Sequence, residues 1–365
     1  MTPSRPADDR LVGFTLRYPM MQKSRFIDPT LTMADHDNFK PNGSAYTLSQ
    51  VSQYLSYVGL DESYHPSSHP VLDLDYLTTI FQAQITSFPY ENLSIHYNPF
   101  HRILLDPQHL FTKLVTSPRR GRGGYCMELS IFFSHILRAL GFSSIHYSGV
   151  RNRNRTNGTP QGPYNGYVHL VNILTLPNTN PAQQYILDAG FGGDGPTFPL
   201  PLTEHLIHHN TIGTQQIRYT RDWLPDQRFR DESKGALKHW IYEYRNSPEK
   251  PWNSYYAFVP EHEFTELDFE NLNVYLSECE RNHQTYTVLV IRFLRGGEEG
   301  EQKIKGKVMM VQGEVKQNLG GRTELVKVCR TEEERTEVLK EVFGINLTEE
   351  EKGAIRGWAS ELKGE

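Results

Sequence analysis

The apolar residues between positions 129 and 140 recur every three or four residues. This spacing places them on one face of an α-helix, and a glycine follows where a left-handed cap commonly ends a helix. The pattern therefore predicts a helix that begins near Cys126, ends before Gly141 and buries one face. The positions on that face are Leu129, Phe132, Phe133, Ile136, Leu137 and Leu140.

Three stretches before this helix also show helical periodicity. One ends at Gly59, a second is broken by Pro89, and a third begins at Asp106-Pro107, a favourable N-cap followed by a favourable first residue. Residues 45–142 are thus predicted to form a helical domain that contains the Cys126 helix. The apolar stripes are Leu48, Val51, Leu55 and Val58; Leu74, Leu77, Phe81 and Ile85; and Leu110, Phe111, Leu114 and Val115.

After Ser143 the pattern changes to strands. Runs of β-branched and apolar residues predict strands at Ile145–Val150, Tyr167–Leu174 and Tyr185–Asp188, with a polar loop over residues 151–166. Residues 143–256 are accordingly predicted to form a second, β-rich domain.

The two ends of the chain have different patterns. Residues 1–44 are polar and lack periodicity, which predicts a mobile extension. Residues 257–365 are predicted to combine strands with a helix that has a capping-box pattern at Thr331–Glu334. The strands predicted in this third domain are 285–293, 307–315 and 323–328.

A turn rich in glycine and arginine leads directly into Cys126 at the predicted helix start. Free N–H groups and the positive end of the helix dipole stabilise a thiolate there, and Arg119, Arg120 and Arg122 are expected to add positive potential. The alternative is a buried structural cysteine. Because glycine and arginine are poor core material, we interpret Cys126 as a nucleophile.

A nucleophilic cysteine needs a base and a group that orients the base. His169 lies in a predicted strand, on the same face as Val171 and Ile173, and Asp188 ends the next strand. A buried unpaired carboxylate is costly, so a histidine on the adjacent strand is its natural partner. If each residue is considered alone, His169 could equally well be a histidine of the core, and Asp188 could equally well be a carboxylate that caps a turn. Together with Cys126 they predict a Cys–His–Asp relay.

The composition of the chain argues against nucleic-acid binding, membrane association and metal binding. The chain has 38 Lys and Arg against 43 Asp and Glu, a net charge of −5, so no general affinity for nucleic acid is expected. No apolar run reaches the ~18 residues of a membrane span and no signal-peptide core is present, so we expect no membrane association and a cytoplasmic location. The widely spaced Cys126, Cys279 and Cys329 suit a reducing compartment. Neither they nor the histidines of residues 205–209 form a metal-binding pattern, so no metal is expected.

Several segments, in order along the chain, resemble motifs of the arylamine N-acetyltransferase family. The similarity extends from about Tyr46 to Leu347. The segment Phe88-Pro89-Tyr90-Glu91-Asn92-Leu93 is similar to that family's Pro-Phe-Glu-Asn-Leu motif. The others are Arg122-Gly123-Gly124-Tyr125-Cys126-Met127-Glu128, Val168-His169-Leu170, Leu187-Asp188-Ala189-Gly190-Phe191-Gly192, Asp268-Phe269-Glu270 and Leu339-Lys340-Glu341-Val342-Phe343-Gly344-Ile345.

The resemblance implies an α+β fold of three domains (a helical bundle, a β-barrel and an α/β lid) with a papain-like Cys-His-Asp core. It implies that Cys126, His169 and Asp188 are the catalytic triad. It also implies that the turn formed by Gly190, Phe191, Gly192 and Gly193 lines the acyl and coenzyme site.

The same resemblance implies a reaction. An acyl group passes from acyl-coenzyme A, with acetyl-CoA as the first candidate and propionyl or malonyl as open alternatives, to a small aromatic amine or hydrazine. The transfer is ping-pong through an acyl-cysteine, and the implied role is xenobiotic detoxification. Two other functions stay open at this point. A cysteine hydrolase or transglutaminase-like enzyme would use the same triad, and a silent relative would act as a binding module.

Overall fold

The computed structural model describes residues 40–116, 120–156, 158–176, 182–210, 213–296, 304–320 and 322–364. Most of the predicted mobile extension, residues 1–39, lies outside this part of the chain, as does Arg119. The α-helices of the described residues are α1 (Leu48–Tyr57), α2 (Leu74–Ser87), α3 (Leu93–His96), α4 (Pro107–Phe111), α5 (Cys126–Leu140), α6 (Glu266–Glu278), α7 (His283–Tyr286), α8 (Glu332–Glu341) and α9 (Glu349–Ala354).

Local signals begin and end the helices where the sequence predicts. Thr47 caps α1 through a capping box, and the Asp106 side chain accepts a hydrogen bond from the amide of His109 at the start of α4. Helix α5 ends at Gly141, whose φ of 115° is left-handed, as expected for a glycine cap. The helices predicted between residues 48 and 141 are therefore confirmed.

The strands belong to two antiparallel sheets. They are β1 (Tyr90–Glu91), β2 (Ile145–Thr156), β3 (Thr159–Leu176), β4 (Gln183–Leu187), β5 (Leu200–Pro201), β6 (His208–His209), β7 (Gln216–Asp222), β8 (His239–Arg245), β9 (Asn253–Phe264), β10 (Leu289–Arg295), β11 (Ile304–Val311), β12 (Glu314–Asn318) and β13 (Thr323–Val328). The larger sheet, in the order β5-β4-β3-β2-β9-β8-β7-β6, is a curled half-barrel, and the smaller has the order β1-β10-β11-β12-β13.

The polar segment over residues 151–166 is paired rather than a loop. Strand β2 continues to Thr156 and β3 begins at Thr159, with Arg151 opposite Tyr167 and Arg155 opposite Pro160. Backbone hydrogen bonds between two strands do not depend on the side-chain pattern, so a hairpin can extend past the apolar core without alternating apolar residues. The loop prediction is therefore wrong.

In the last third of the chain, the structure also differs from two of the predicted strands. Residues 285–286 belong to α7, which Asn282 caps by accepting a hydrogen bond from the amide of Gln284 (3.0 Å), and β10 begins only at Leu289. The single strand predicted at 307–315 is the β11–β12 hairpin, which turns at Gln312 with φ of 54°. Apolar residues stand on both sides of the short polar turn, Val311 before it and Val315 after it, so periodicity alone does not reveal the reversal. The strand predicted at 323–328 is confirmed as β13.

Strand β1 links the helical part of the chain to the smaller sheet. Tyr90 lies opposite Ile291 of β10, although the two residues are far apart in sequence. The domain boundaries drawn from the sequence stay a prediction. Within the described residues, no helix combines the length and hydropathy that a membrane span requires.

Candidate active site

Cys126 is the first residue of α5 and is buried, with 5% of its surface exposed. The Glu128 side chain accepts a hydrogen bond from the amide of Tyr125 (3.0 Å), which fixes the first turn of the helix. The helix start at Cys126 follows from the sequence, and a carboxylate in the first turn suits the positive end of the helix dipole. The burial of Cys126 does not follow from the sequence.

The glycines before Cys126 allow two backbone segments to approach closely. The Gly124 amide donates to the carbonyl of Pro89 (3.2 Å), and the Glu91 amide donates to the carbonyl of Gly124 (2.9 Å). A Cβ at Gly123 would overlap the Pro89 carbonyl, so a side chain at that position would push β1 away. The glycine-rich turn therefore joins the Cys126 helix to β1.

The arginines of this turn are paired with carboxylates. Arg122 donates from Nε to Glu91 Oε1 (2.9 Å) and from Nη1 to Glu351 Oε1 (2.9 Å). Arg120 also pairs with Glu351, which belongs to α9. The positive potential that we expect from these two residues is therefore largely compensated, and their structural effect is to join the turn to the C-terminal segment.

We expect Glu91→Gln to lower the free energy of unfolding by about 3 kcal/mol, because Arg122 and Lys113 would lose their shared buried carboxylate. Burial alone would raise the pKa of Glu91, but these two cations outweigh it and lower the pKa from 4.5 to about 2. The stabilisation is thus present above pH 4.5 and is lost as the pH falls toward 2.

Urea unfolding at pH 7 and below pH 4.5 checks this prediction. The difference between wild type and Glu91→Gln should be large at pH 7 and should shrink in acid. Glu270→Gln, at an exposed helical position, is the control and should leave stability unchanged. Equal stabilities of wild type and Glu91→Gln at pH 7 would contradict the prediction.

The structure brings the three predicted residues Cys126, His169 and Asp188 together. Strand β3 carries His169 and pairs with β4, after which Asp188 follows directly. His169 Nε2 lies 3.0 Å from each Asp188 carboxylate oxygen, and the same imidazole is hydrogen-bonded to Cys126. Since Nε2 faces Asp188, Nδ1 is the nitrogen left for the thiol. Asn172, also on β3, donates to the carbonyl of Ser130 on α5 (2.9 Å) and so fixes strand against helix.

His169 is charged in this environment. Burial alone would lower its pKa, but the adjacent Asp188 carboxylate and the hydrogen bond with Cys126 raise the pKa to about 10. The side chains of His169 and Asp188 are both buried, so little solvent screens the pair. At neutral pH the arrangement favours an imidazolium that faces both a carboxylate and the sulfur of Cys126.

The turn after Asp188 lies against this group. A Cβ at Gly190 would come within 2.7 Å of Cys126 Cα, so only glycine allows this approach. The Phe191 ring has its centroid 5.3 Å from that of His169. Gly192, with φ of 84°, faces Tyr90, and Gly193 faces Lys307.

Two features of the site have no counterpart in the sequence-based predictions. Tyr90 reaches the site from β1, and the one hint in the sequence is a tyrosine where the similar motif has phenylalanine. Asp194, directly after the glycine turn, pairs with Lys307 and with Arg155. Arg155 belongs to the segment predicted as a loop, and this ion pair depends on the observed strand.

The histidine-rich segment 205–209 forms no such cluster. Residues 208–209 are the edge strand β6, and His205 lies 3.4 Å from Glu204. Across the part of the chain that the structure describes, no three His, Cys, Asp or Glu side chains are placed to hold a metal ion.

The fold matches those of solved arylamine N-acetyltransferases. The enzyme from Mycobacterium abscessus has a TM-score of 0.65 and 19% identity, over 84% of this chain and 93% of that chain. The Mycobacterium marinum enzyme in complex with CoA has a TM-score of 0.63 and 20% identity, over 84% of this chain and 96% of that chain. The predicted α+β fold class is therefore confirmed.

Comparisons of the sequence with known proteins agree with this structural match. The N-acetyltransferase family model matches residues 73–352. The N-malonyltransferase FDB2 of Fusarium pseudograminearum (strain CS3096) is 29% identical over 336 residues, which cover 86% of this chain and 93% of that protein. Arylamine N-acetyltransferase 2 of Rattus norvegicus is 30% identical over 308 residues, which cover 81% of this chain and 94% of that protein. The chain therefore belongs to the arylamine N-acetyltransferase family and is an acyltransferase.

Proposed function

We propose that this chain transfers an acyl group from acyl-coenzyme A to the nitrogen of a small aromatic amine or hydrazine, with Cys126, His169 and Asp188 as the catalytic triad. The observation that carries the proposal is the buried contact of His169 with both Asp188 and Cys126, at the first turn of a helix. A thiol, an imidazole and a carboxylate in this order are the groups that nucleophilic acyl transfer requires.

In the first half-reaction the Cys126 proton resides on His169, and Asp188 stabilises the resulting imidazolium. The thiolate attacks the thioester carbonyl carbon. A carbon–sulfur bond to Cys126 forms, the bond to coenzyme A breaks, and the departing thiolate takes the proton from His169. Backbone N–H groups at the start of α5 are the candidate donors to the oxyanion.

In the second half-reaction the amine attacks the acyl-cysteine. Aromatic amines are weakly basic and are neutral at pH 7, so they attack without prior deprotonation. His169 accepts the proton that the amine nitrogen loses, and Cys126 departs as a thiolate. The imidazolium–thiolate pair is thereby regenerated, which closes the cycle.

The donor binds, in this proposal, at the turn formed by residues 190–193. Gly190 lets the backbone of this turn pack directly against Cys126, which supports a place for the turn at the acyl group. The relatives include proteins named N-malonyltransferase and arylamine N-acetyltransferase, so malonyl and acetyl donors both come into consideration. Propionyl stays an open alternative from the family resemblance. The structure of a relative in complex with CoA supports coenzyme A as the carrier.

We further propose a reducing compartment, the cytoplasm, as the working location. The mechanism requires Cys126 to be a free thiol at the start of each cycle, and Cys126, Cys279 and Cys329 are all unpaired. Xenobiotic detoxification stays a prediction from the family resemblance.

Incubation of the protein with acyl-CoA, without an amine, is expected to add one acyl mass to Cys126. An aromatic amine should then remove that mass and yield the N-acylated product. Intact-protein and peptide mass spectrometry measures both steps, and initial rates should give parallel double-reciprocal lines, because donor and acceptor never bind together.

A Cys279→Ser variant is the control, because Cys279 is the more exposed thiol and should be irrelevant to labelling. Rapid release of free acid in the absence of amine would favour the hydrolase, and transfer to protein amines would favour the transglutaminase-like function. A protein that never acquires an acyl mass would refute the proposal.

A further inference from the structure

We propose that the site selects an acyl donor with a terminal carboxylate, of the malonyl type, through the hydroxyl of Tyr90 and the surplus positive charge of the Arg155–Asp194–Lys307 cluster. This inference rests on the proposed function and assigns the donor class of the same site. The acceptor amine is not affected by it.

The first observation is the place of Tyr90. Its backbone bridges to Gly124, two residues before Cys126, and its ring faces Gly192, where an added Cβ would lie 3.6 Å from Tyr90 Cγ. Burial and the nearby Cys126 raise the pKa of Tyr90, so the hydroxyl keeps its proton at neutral pH. Tyr90 therefore carries a neutral O–H group on the strand that flanks the start of the Cys126 helix.

The second observation is the direction of that O–H group. The amide of Leu289 donates to Asn92 Oδ1 (2.8 Å), so Asn92 Nδ2 is free to donate to Gln284 Oε1 (2.9 Å). Gln284 must then present Nε2 to Tyr90, and it donates to the Tyr90 oxygen at 2.8 Å. Because this oxygen already accepts from Gln284, the Tyr90 proton remains available for a further acceptor.

The third observation is the charge on the other side of the turn. Lys307 Nζ donates to the carbonyl of Gly193 and to Asp194 Oδ1 (2.9 Å), and Arg155 pairs with the second oxygen of Asp194. Two cations thus share one carboxylate, which leaves one positive charge in excess. The Lys307 side chain is 7% exposed and that of Arg155 is 37% exposed, so solvent screens the excess charge mainly on the Arg155 side.

The cluster borders the same turn as Tyr90. The Arg155 guanidinium lies 5.0 Å from the ring centroid of Tyr255, and that ring lies 4.6 Å from the Phe191 ring. Gly192 faces Tyr90, and an added Cβ at Gly193 would lie 3.1 Å from Lys307 Nζ. An acyl group at this turn would therefore have a hydroxyl group on one side and a cluster with one excess positive charge on the other.

This combination suits a carboxylate and offers nothing to a methyl group. A malonyl group brings one negative charge, which would balance the excess cation and accept the Tyr90 hydrogen bond. An acetyl group would leave both unsatisfied. The carboxylate takes no part in bond making, so thioester exchange at Cys126 proceeds as written above, with the His169 proton passing to the coenzyme A thiolate.

Tyr90→Phe tests the proposal on the full-length chain. We expect kcat/KM for malonyl-CoA to fall about tenfold or more, as loss of a hydrogen bond to a charged group predicts, with acetyl-CoA changed less than about twofold. Wild type should prefer malonyl-CoA. Tyr76→Phe is the control, since it also removes the hydroxyl of a buried tyrosine. Tyr76 lies on α2, and its hydroxyl donates to the Tyr64 carbonyl (2.8 Å).

Lys307→Met is the second variant. Like Tyr90→Phe, it should lower kcat/KM for malonyl-CoA more than kcat/KM for acetyl-CoA. Lys305→Met, an exposed lysine on the same strand, should change neither donor. Tyr90→Phe keeps the test valid if Lys307→Met fails to fold.

The outcomes separate this inference from the proposed function. Equal losses with both donors would place Tyr90 or Lys307 at the oxyanion or at a coenzyme A phosphate and overturn the donor assignment. A wild type that prefers acetyl-CoA would overturn it as well. Failure of both donors to acylate Cys126 would instead remove the proposed function, and the inference with it.

Discussion

Replacing Cys126 with alanine is expected to abolish acyl transfer, with a loss of at least about 10⁴-fold in kcat/KM. Every step of the proposed cycle passes through the sulfur of this residue. The change removes one small buried atom from the start of α5, so the cost in stability is on the order of 1 kcal/mol and the fold should persist.

The measurement combines the transfer rate with thermal unfolding. Cys329→Ala is the matched control, because Cys329 is also buried, at 3% exposure, and belongs to a different apolar cluster. That variant should lose similar stability and keep its activity. If the folded Cys126→Ala protein retains more than a few per cent of wild-type activity, Cys126 is not the nucleophile.

Asp188→Asn is expected to slow acylation of Cys126 by about 10³- to 10⁴-fold, by analogy with the loss of an orienting carboxylate in other triads. Asp188 is the main reason that the pKa of His169 is raised to about 10 despite burial. An amide supplies no charge to hold the imidazolium and disfavours the required ring orientation, so the thiol would keep its proton.

Rapid-quench mass spectrometry measures the acylation rate directly. Asp222→Asn, at the end of β7 in the same sheet and exposed, is the control and should react like wild type. A well-folded Asp188→Asn protein that acylates at the wild-type rate would show that the relay assignment is incorrect.

The same pair makes stability depend on pH. Because the pKa of His169 in the folded protein lies above its ordinary value of 6.5, the contribution of the imidazolium is complete below pH 6.5 and is lost as the pH rises to 10. Asp188→Asn should therefore lose less unfolding free energy than wild type between these two pH values. Urea unfolding of wild type and Asp188→Asn at pH 6.5 and at pH 10 provides the comparison.

The parts of the site that depend on local order could be predicted from the amino-acid sequence. Helix α5, its start at Cys126 and its end at Gly141 follow from apolar periodicity and from a glycine that tolerates positive φ. His169 and Asp188 lie on consecutive antiparallel strands, whose pairing is the commonest arrangement of neighbours in sequence. Their meeting could therefore be predicted without knowledge of the whole fold.

Contacts between groups that are far apart in sequence became evident only from the folded chain. Gln284 orients Tyr90 across 194 residues, and Glu351 pairs with Arg122 across 229 residues. Lys307 reaches Asp194 from a strand whose hairpin the periodicity did not reveal. Alternation of apolar and polar residues indicates which side of an element is buried, but it carries no information about which element covers that side. Polar pairs between remote segments depend on that second choice, and so do the Tyr90 hydroxyl and the charges that border the turn of residues 190–193.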